Sequence, residues 1–275
     1  LPVINTMGTP DHLHSRLEIY TEPSASPFGL YLHIPFCPYR CSFCDFYKEM
    51  HDAASEKHFW AALRTETELA AAALGESTRS ISTIFVGGGT PSMIAIEQFA
   101  NWLHLAKTLF HIPDNIEFSF ECNPDSVTLE LMQTLKSLGV TRPTIGIESF
   151  DTSALKALNR PQTVEDCQRA VYYAHSLGFR TFGVDLIFGL PNQTTKKLSK
   201  DLDQLVDLEP PHISYYQLTV EPGTRLHEQV SAKKVRMPGD QLMHAMYKGG
   251  YERFLARGYE RYEVSSFAKP GHQSE

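Results

Sequence analysis

In Leu30-Tyr31-Leu32-His33-Ile34-Pro35-Phe36-Cys37-Pro38-Tyr39-Arg40-Cys41-Ser42-Phe43-Cys44-Asp45-Phe46, a short apolar run breaks at Pro35 and is followed at once by three cysteines spaced C-x3-C-x2-C. Leu30–Ile34 has the composition of a strand. The thiols therefore sit on the loop leaving its C-terminal end, the side on which α/β barrels assemble their active sites. Three thiolates on one short loop suffice to hold three corners of a four-iron cube, which leaves one iron open to a ligand. The competing reading is a zinc site that recruits His33 or Asp45. Structural zinc sites pair their ligands twice, and no second pair follows here.

Cys37, Cys41 and Cys44 are three of five cysteines, the others being Cys122 and Cys167. An odd count with three crowded together makes a poor disulfide framework, which favours metal ligation. Cys122 and Cys167 read as packed thiols. The 275 residues, 42% hydrophobic and 21% charged, allow one large α/β domain or two small ones. Against 25 Lys and Arg stand 32 Asp and Glu, a formal charge of −7. That balance argues against a nucleic-acid partner. There is no apolar run of about 18 residues or more, the length of a membrane helix. The first 20 residues show no charged start followed by an apolar block. A cytoplasmic location with reduced thiols is expected. The sequence runs from Leu1 to Glu275 and reads as part of a longer protein, with a C-terminal domain missing.

Outward from the cysteines, strand-like and helix-like stretches alternate. Strands are expected at Leu30–Ile34, Thr83–Val86, Glu117–Phe120, Pro143–Ile147, Thr181–Ile187 and His212–Val220. Helices are expected at Ala53–Leu74, Ile96–Phe110, Thr128–Leu138, Thr163–Leu177, Thr194–Leu208 and Pro238–Arg257, with Gly139 and Gly178 as stops. Alternation of this kind gives a parallel sheet with helices outside. Six units point to an α/β fold of the incomplete, TIM-like (βα)6 barrel type; the alternative is a doubly wound open sheet. The expected layout is an N-terminal extension at 1–28, the partial barrel at 29–225 and the start of a C-terminal region at 226–275.

C-x3-C-x2-C resembles the radical S-adenosylmethionine (SAM) superfamily. The wider Tyr31-x-His33-Ile34-Pro35-Phe36-Cys37 is similar to the oxygen-independent coproporphyrinogen III oxidase family, and Cys44-Asp45-Phe46 to its HemW-type haem chaperone branch. The oxidases carry a further cysteine where this chain has Phe46. The resemblance runs from Leu30 to Gly271 and implies a [4Fe–4S] cluster on Cys37, Cys41 and Cys44, with SAM on the open iron. Gly87-Gly88-Gly89-Thr90-Pro91-Ser92 resembles the loop that holds the amino end of SAM; by itself a glycine run is a tight turn. The resemblance places further SAM contacts at Tyr31, Phe43, Gly88, Gly89, Thr90, Glu121, Glu148, Arg160, Asp185 and Thr219. Glu121 also reads as an acid ahead of a helix, Arg160 as a solvated charge, and Tyr31 and Phe43 as core aromatics. Glu148, in Ile145-Gly146-Ile147-Glu148-Ser149-Phe150, stands where the family has Gln, so an acceptor replaces a group that both donates and accepts. Asp185 is flanked by apolar strand residues, so an arginine or a ligand is expected beside it.

The resemblance implies a protein that binds haem and delivers it to acceptor haemoproteins, often respiratory enzymes near the membrane. The second reading is oxidative decarboxylation of a porphyrinogen, and the third a radical SAM enzyme on another substrate, such as a methyltransferase. No second cysteine cluster supports the third. Haem ligands are sought by residue type at His33, His212 and His272. Whether the chain forms an oligomer stays open.

Overall fold

The computed structural model describes residues 27–74 and 79–275. The extension expected at 1–28 thus lies outside the described residues, except for its last two positions. Of these Phe28 already belongs to the first strand.

The chain opens with β1 (Phe28–Ile34), the two-residue strands β2 (Phe36–Cys37) and β3 (Glu49–Met50), and α1 (Ala53–Ala73). Next come β4 (Ile81–Gly88), α2 (Ile96–Leu109), β5 (Glu117–Cys122), α3 (Leu129–Leu138) and β6 (Arg142–Glu148). A short helix α4 (Thr152–Ala157) precedes α5 (Val164–Ser176), β7 (Gly183–Phe188), α6 (Thr195–Asp207) and β8 (His212–Gln217). The last elements are α7 (Arg225–Ser231), α8 (Asp240–Ala256), β9 (Glu260–Arg261) and β10 (Ser266–Ala268).

β1, β4, β5, β6, β7 and β8 pair in parallel, each with its neighbour in the chain. A doubly wound sheet reverses its strand order at a switch point. This order never reverses, so the architecture is the six-unit partial barrel. β10 adds antiparallel to β8 and β9 to β10, so the run after residue 225 extends the same sheet.

Strand alternation sorts the side chains. Phe118 and Phe120 of β5 pack on Phe99 of α2, so Glu117, Ser119 and Glu121 face the other, concave side. Register carries that face across the sheet: Tyr31 pairs with Phe85, Phe85 with Ser119, Glu121 with Thr144, and Gly146 with Asp185. The main core fills the layer between strands and helices, with Ile34, Ile84, Phe120, Ile145, Val184 and Ile213 against Trp60, Phe99, Met132, Val171 and Leu205.

Several boundaries differ from expectation for identifiable reasons. Thr128, Thr163 and Thr194 are N-caps rather than helical residues, each accepting a backbone N–H three residues on. Gly139 ends α3 in the left-handed conformation at φ 100°. β8 stops at Gln217 because its partner strand β7 ends at Phe188, the residue that Gln217 pairs with. β7 starts at Gly183, two residues late. Pro238 lies ahead of the α8 N-cap Gly239.

At the N-terminal end of the barrel, Arg142 and Glu117 form a buried ion pair at 2.8 Å. The run after β10 crosses beneath it. Arg142 Nη2 donates to the carbonyls of His272 and Gln273, and Ser274 Oγ donates to Glu117. One end of the concave face is thereby closed, and the site lies at the other.

Candidate functional site

The cysteine loop leaves β1 at the C-terminal end of the sheet, and every segment around it holds it by the backbone. Gly89 N–H donates to Ile34 O and Thr90 N–H to Phe36 O. His51 N–H donates to Cys37 O, and Lys48 Nζ to the Cys44 and Phe46 carbonyls. Between the second and third cysteines, Ser42 ties the loop to the end of α4: its N–H donates to Leu158 O and its hydroxyl to Ala157 O.

The glycine loop packs directly against this segment. A Cβ on Gly89 would lie 2.5 Å from the Phe36 carbonyl oxygen and 3.0 Å from Cys37 Sγ. Gly88 has φ 111°, and its N–H donates to Glu121 at 3.1 Å. The N–H groups of Gly88, Gly89 and Thr90 are thus all used inside the protein. These glycines serve close approach, and the Thr90 side chain turns to the cluster loop, its hydroxyl 3.7 Å from Cys37 Sγ.

Arg160 is buried at the centre of the site, on the turn between α4 and α5. Its Nη1 lies 3.8 Å from Cys41 Sγ and 3.3 Å from Asn123 Oδ1. Its Nη2 donates to Gly146 O at 2.7 Å and lies 3.6 Å from Glu148 Oε1. The solvated-charge reading is therefore set aside. Glu148 sits at a register slip in β6 with φ 64°, a left-handed conformation uncommon outside glycine. The Tyr216 hydroxyl donates to it at 2.9 Å.

Three carboxyls, Glu121, Glu148 and Asp185, thus share this end of the concave face with one guanidinium. Burial pushes Glu121 up to about 7, with the Gly88 N–H opposing. Burial also raises Glu148, against Arg160 and Tyr216, which favour its ionised form. Asp185 is raised well above the ordinary range by burial and by the charge of Glu148. In place of the arginine or ligand expected directly beside it, Asp185 has the Ser214 hydroxyl, with the charge of Arg160 acting from farther off; the guanidinium itself lies 3.6 Å from Glu148. A positive group brought among these carboxyls would favour their ionised forms, so the concavity suits a cationic ligand.

Among the other expected contacts, Tyr31 is 45% exposed, its ring tilted against Phe85, and its hydroxyl bonds His33 Nδ1 at 3.0 Å. Phe43 packs on a small apolar cluster containing Ile187, Leu190, Leu218 and Leu226. Thr219 lies exposed beyond β8, apart from the buried group. Sequence reasoning missed Asn123, Tyr39 and Tyr216. Asn123 bridges three loops: it donates to Tyr39 and Thr90 and accepts from Arg160. Its signal was its place directly after Glu121-Cys122 at a strand end.

Cys37 is buried and Cys41 and Cys44 are half-buried. Each of Cys37 and Cys41 feels the charge of Cys44. Burial raises the bare Cys41 thiol to about 11, with Arg160 opposing, so metal must displace protons to bind. Among the described residues, no three His, Cys, Asp or Glu side chains converge closely enough for a single ion.

A family profile described as the Radical SAM superfamily matches residues 31–205. This chain belongs to the radical SAM superfamily, and membership implies a [4Fe–4S] cluster and SAM. Within it, the similarity is to the HemW-type branch. The chain is 35% identical to heme chaperone HemW of Haemophilus influenzae, covering 91% of this chain and 65% of that protein. It is 34% identical to the Escherichia coli heme chaperone HemW, covering 90% and 64%. It thus spans just under two thirds of the length of these relatives. The solved structure of coproporphyrinogen III oxidase (HemN) from Escherichia coli superposes with a TM-score of 0.84 at 24% identity, covering 97% of this chain and 60% of that one. That likeness bears on the fold alone.

Proposed function

We propose that this chain is the radical SAM part of a haem chaperone, which binds haem and passes it to acceptor haemoproteins. One observation carries the reading. Three thiols at the C-terminal end of β1 face an acid-lined concavity, in a chain about one-third identical to haem chaperones over nine tenths of its length. Cys37, Cys41 and Cys44 hold the cluster. The cluster, with SAM on its open iron, supplies one-electron chemistry at the sulfonium. Arg160 orients the SAM carboxylate, Glu121 and Asp185 face its positive groups, and Glu148 takes a ribose hydroxyl. Tyr31 and Phe43 flank the adenosyl part, the Gly88–Thr90 loop borders its amino end, and Thr219 stands on the adenine side.

The second reading, porphyrinogen oxidation, is disfavoured by Phe46, which is 63% exposed at the position where the oxidases place a further cysteine. The three histidines sought as haem ligands differ in how their ring nitrogens are used. His33 uses both ring nitrogens, Nδ1 on Tyr31 and Nε2 on the Tyr47 carbonyl. His212 is buried against Tyr262, and burial lowers it to about 4. Of the three candidates, His272 keeps Nε2 without a partner among the described residues. No helix among those residues is long and apolar enough to cross a membrane; the reading places the protein in the cytoplasm, reaching membranes through its acceptors.

The test is anaerobic reconstitution followed by haem titration in the Soret region. One haem should bind per chain, and coproporphyrinogen should keep all its carboxylates in the presence of SAM and reductant. Decarboxylation would establish the oxidase reading instead.

A further inference from the structure

Thr90 and Arg160 both aim polar hydrogens at cysteine sulfurs. The Thr90 hydroxyl donates to Cys37 Sγ at 3.7 Å, and Arg160 Nη1 points at Cys41 Sγ at 3.8 Å. Among the described residues, Cys44 Sγ receives no such donor; around it the anchoring contacts run to its carbonyl. Thr90 is 2% exposed and Arg160 6%, so neither contact is diluted by solvent.

We propose that Thr90 and Arg160 are potential-setting residues of the cluster, each stabilising its reduced form through one cysteine sulfur. This rests on the cluster assignment to Cys37, Cys41 and Cys44. The step is a one-electron reduction: the cluster gains one electron from a low-potential one-electron donor, and no bond forms or breaks. The added negative charge spreads over iron and sulfur, thiolates included. A hydrogen bond or positive charge at a thiolate is worth more to the more negative state, so the potential rises. Solvent exclusion strengthens the effect.

The surroundings fix both donors. Thr90 has its N–H held by Phe36 O and its hydroxyl approached by Asn123 Nδ2, which leaves its own hydrogen for the sulfur. Arg160 is clamped by Gly146 O on Nη2 and by Asn123 Oδ1 on Nη1. Asn123 therefore positions both donors at once. Glu148, beside the same guanidinium, tempers its charge. The arrangement gives Arg160 two duties on one group, toward the thiolate and toward a ligand carboxylate, and they separate when SAM is left out.

The experiment uses the full chain, reconstituted anaerobically and titrated with dithionite, without SAM, with the reduced cluster followed by EPR. Thr90→Val keeps the shape and removes the hydroxyl; Thr90→Ser keeps the hydroxyl. Thr90→Val should move the midpoint to more negative potential with full iron content, and Thr90→Ser should restore it. Arg160→Gln should shift it further in the same direction. Arg160→Lys, which keeps charge but loses the fork, should fall between. A Thr90→Val midpoint equal to the parent's at equal iron content overturns the proposal. So does a Thr90→Ser protein that shifts as far as Thr90→Val, since that marks a packing effect. If the parent chain itself takes up no four-iron cluster, the cluster assignment fails, a result distinct from either.

Discussion

Burial lifts the Glu121 carboxyl from an ordinary 4.5 to about 7. The folded protein therefore holds a proton there that the unfolded chain has already released. Stability from this group is complete below 4.5 and is lost as pH rises through 7. Glu148 and Asp185 act with the same sign, since burial raises both. Glu121→Gln cannot ionise and still accepts from the Gly88 N–H. The cluster-free variant should exceed its parent in stability at pH 8 by on the order of 3 kcal/mol, and the two should converge near pH 4.5. Urea unfolding at both pH values checks this, and a gap that stays constant would remove Glu121 as a proton holder. Gly89 tests the site by shape. Its missing Cβ is what lets the loop lie against the Phe36 carbonyl and Cys37 Sγ. A backbone carbonyl cannot swing aside as a side-chain tip can, so Gly89→Ala displaces Cys37. Iron bound per chain after reconstitution should drop by at least about half, while the far-ultraviolet circular dichroism is unchanged.

At the scale of elements, α4 is what brings Arg160 to the cysteines. It is six residues long, too short to fold alone, and is held by what it touches. Asp151 caps its start, and Ser42 of the cysteine loop satisfies its final carbonyls. Ser42→Ala leaves the Ala157 carbonyl without that donor and should cost about 1 kcal/mol in urea unfolding. It should also speed iron loss to a chelator, an effect that Ser42→Thr, with its hydroxyl retained, largely spares. Unchanged chelation kinetics would separate α4 from the cluster loop. α4 also marks the limit of what the sequence tells. The six parallel strands were readable because each is a dense run of branched or aromatic residues ended by Gly, Pro or polar residues. The longer helices were readable from periodicity and, for two of them, from the glycine that follows, whereas the threonines that cap three of them were read as helical. α4 and α7 carry too few turns for a period to register, and β10 has three residues whose pairing depends on β8 far back in the chain. The cysteines and Glu121 were legible as motifs at strand ends. Asn123 and Tyr216 were not, because each becomes functional through neighbours that only folding supplies.

Across the whole molecule, the concave face is polar at both ends, for opposite purposes. The C-terminal end gathers three carboxyls and one arginine around a place for a ligand. The N-terminal end holds Glu117 and Arg142 as a buried pair, with Ser274 bonded to the carboxylate and the His272 and Gln273 carbonyls to Arg142 Nη2, while Arg142 Nη1 has no partner among the described residues. Both side chains of the pair are about 5% exposed. Removing one leaves the other as an uncompensated buried charge, whereas removing both leaves only a hole. Arg142→Met should therefore cost about 3–5 kcal/mol. Adding Glu117→Leu to it should recover most of that loss, although the double variant has lost more hydrogen bonds than the single. Iron uptake by the folded fraction should be the same in all three proteins, because the bonds that anchor the cluster loop among the described residues come from the C-terminal end of the sheet and from α4. Urea unfolding of the cycle, with iron counted on the same samples, decides it. Additive losses across the two substitutions would mean that the pair acts as two separate polar groups rather than one buried unit.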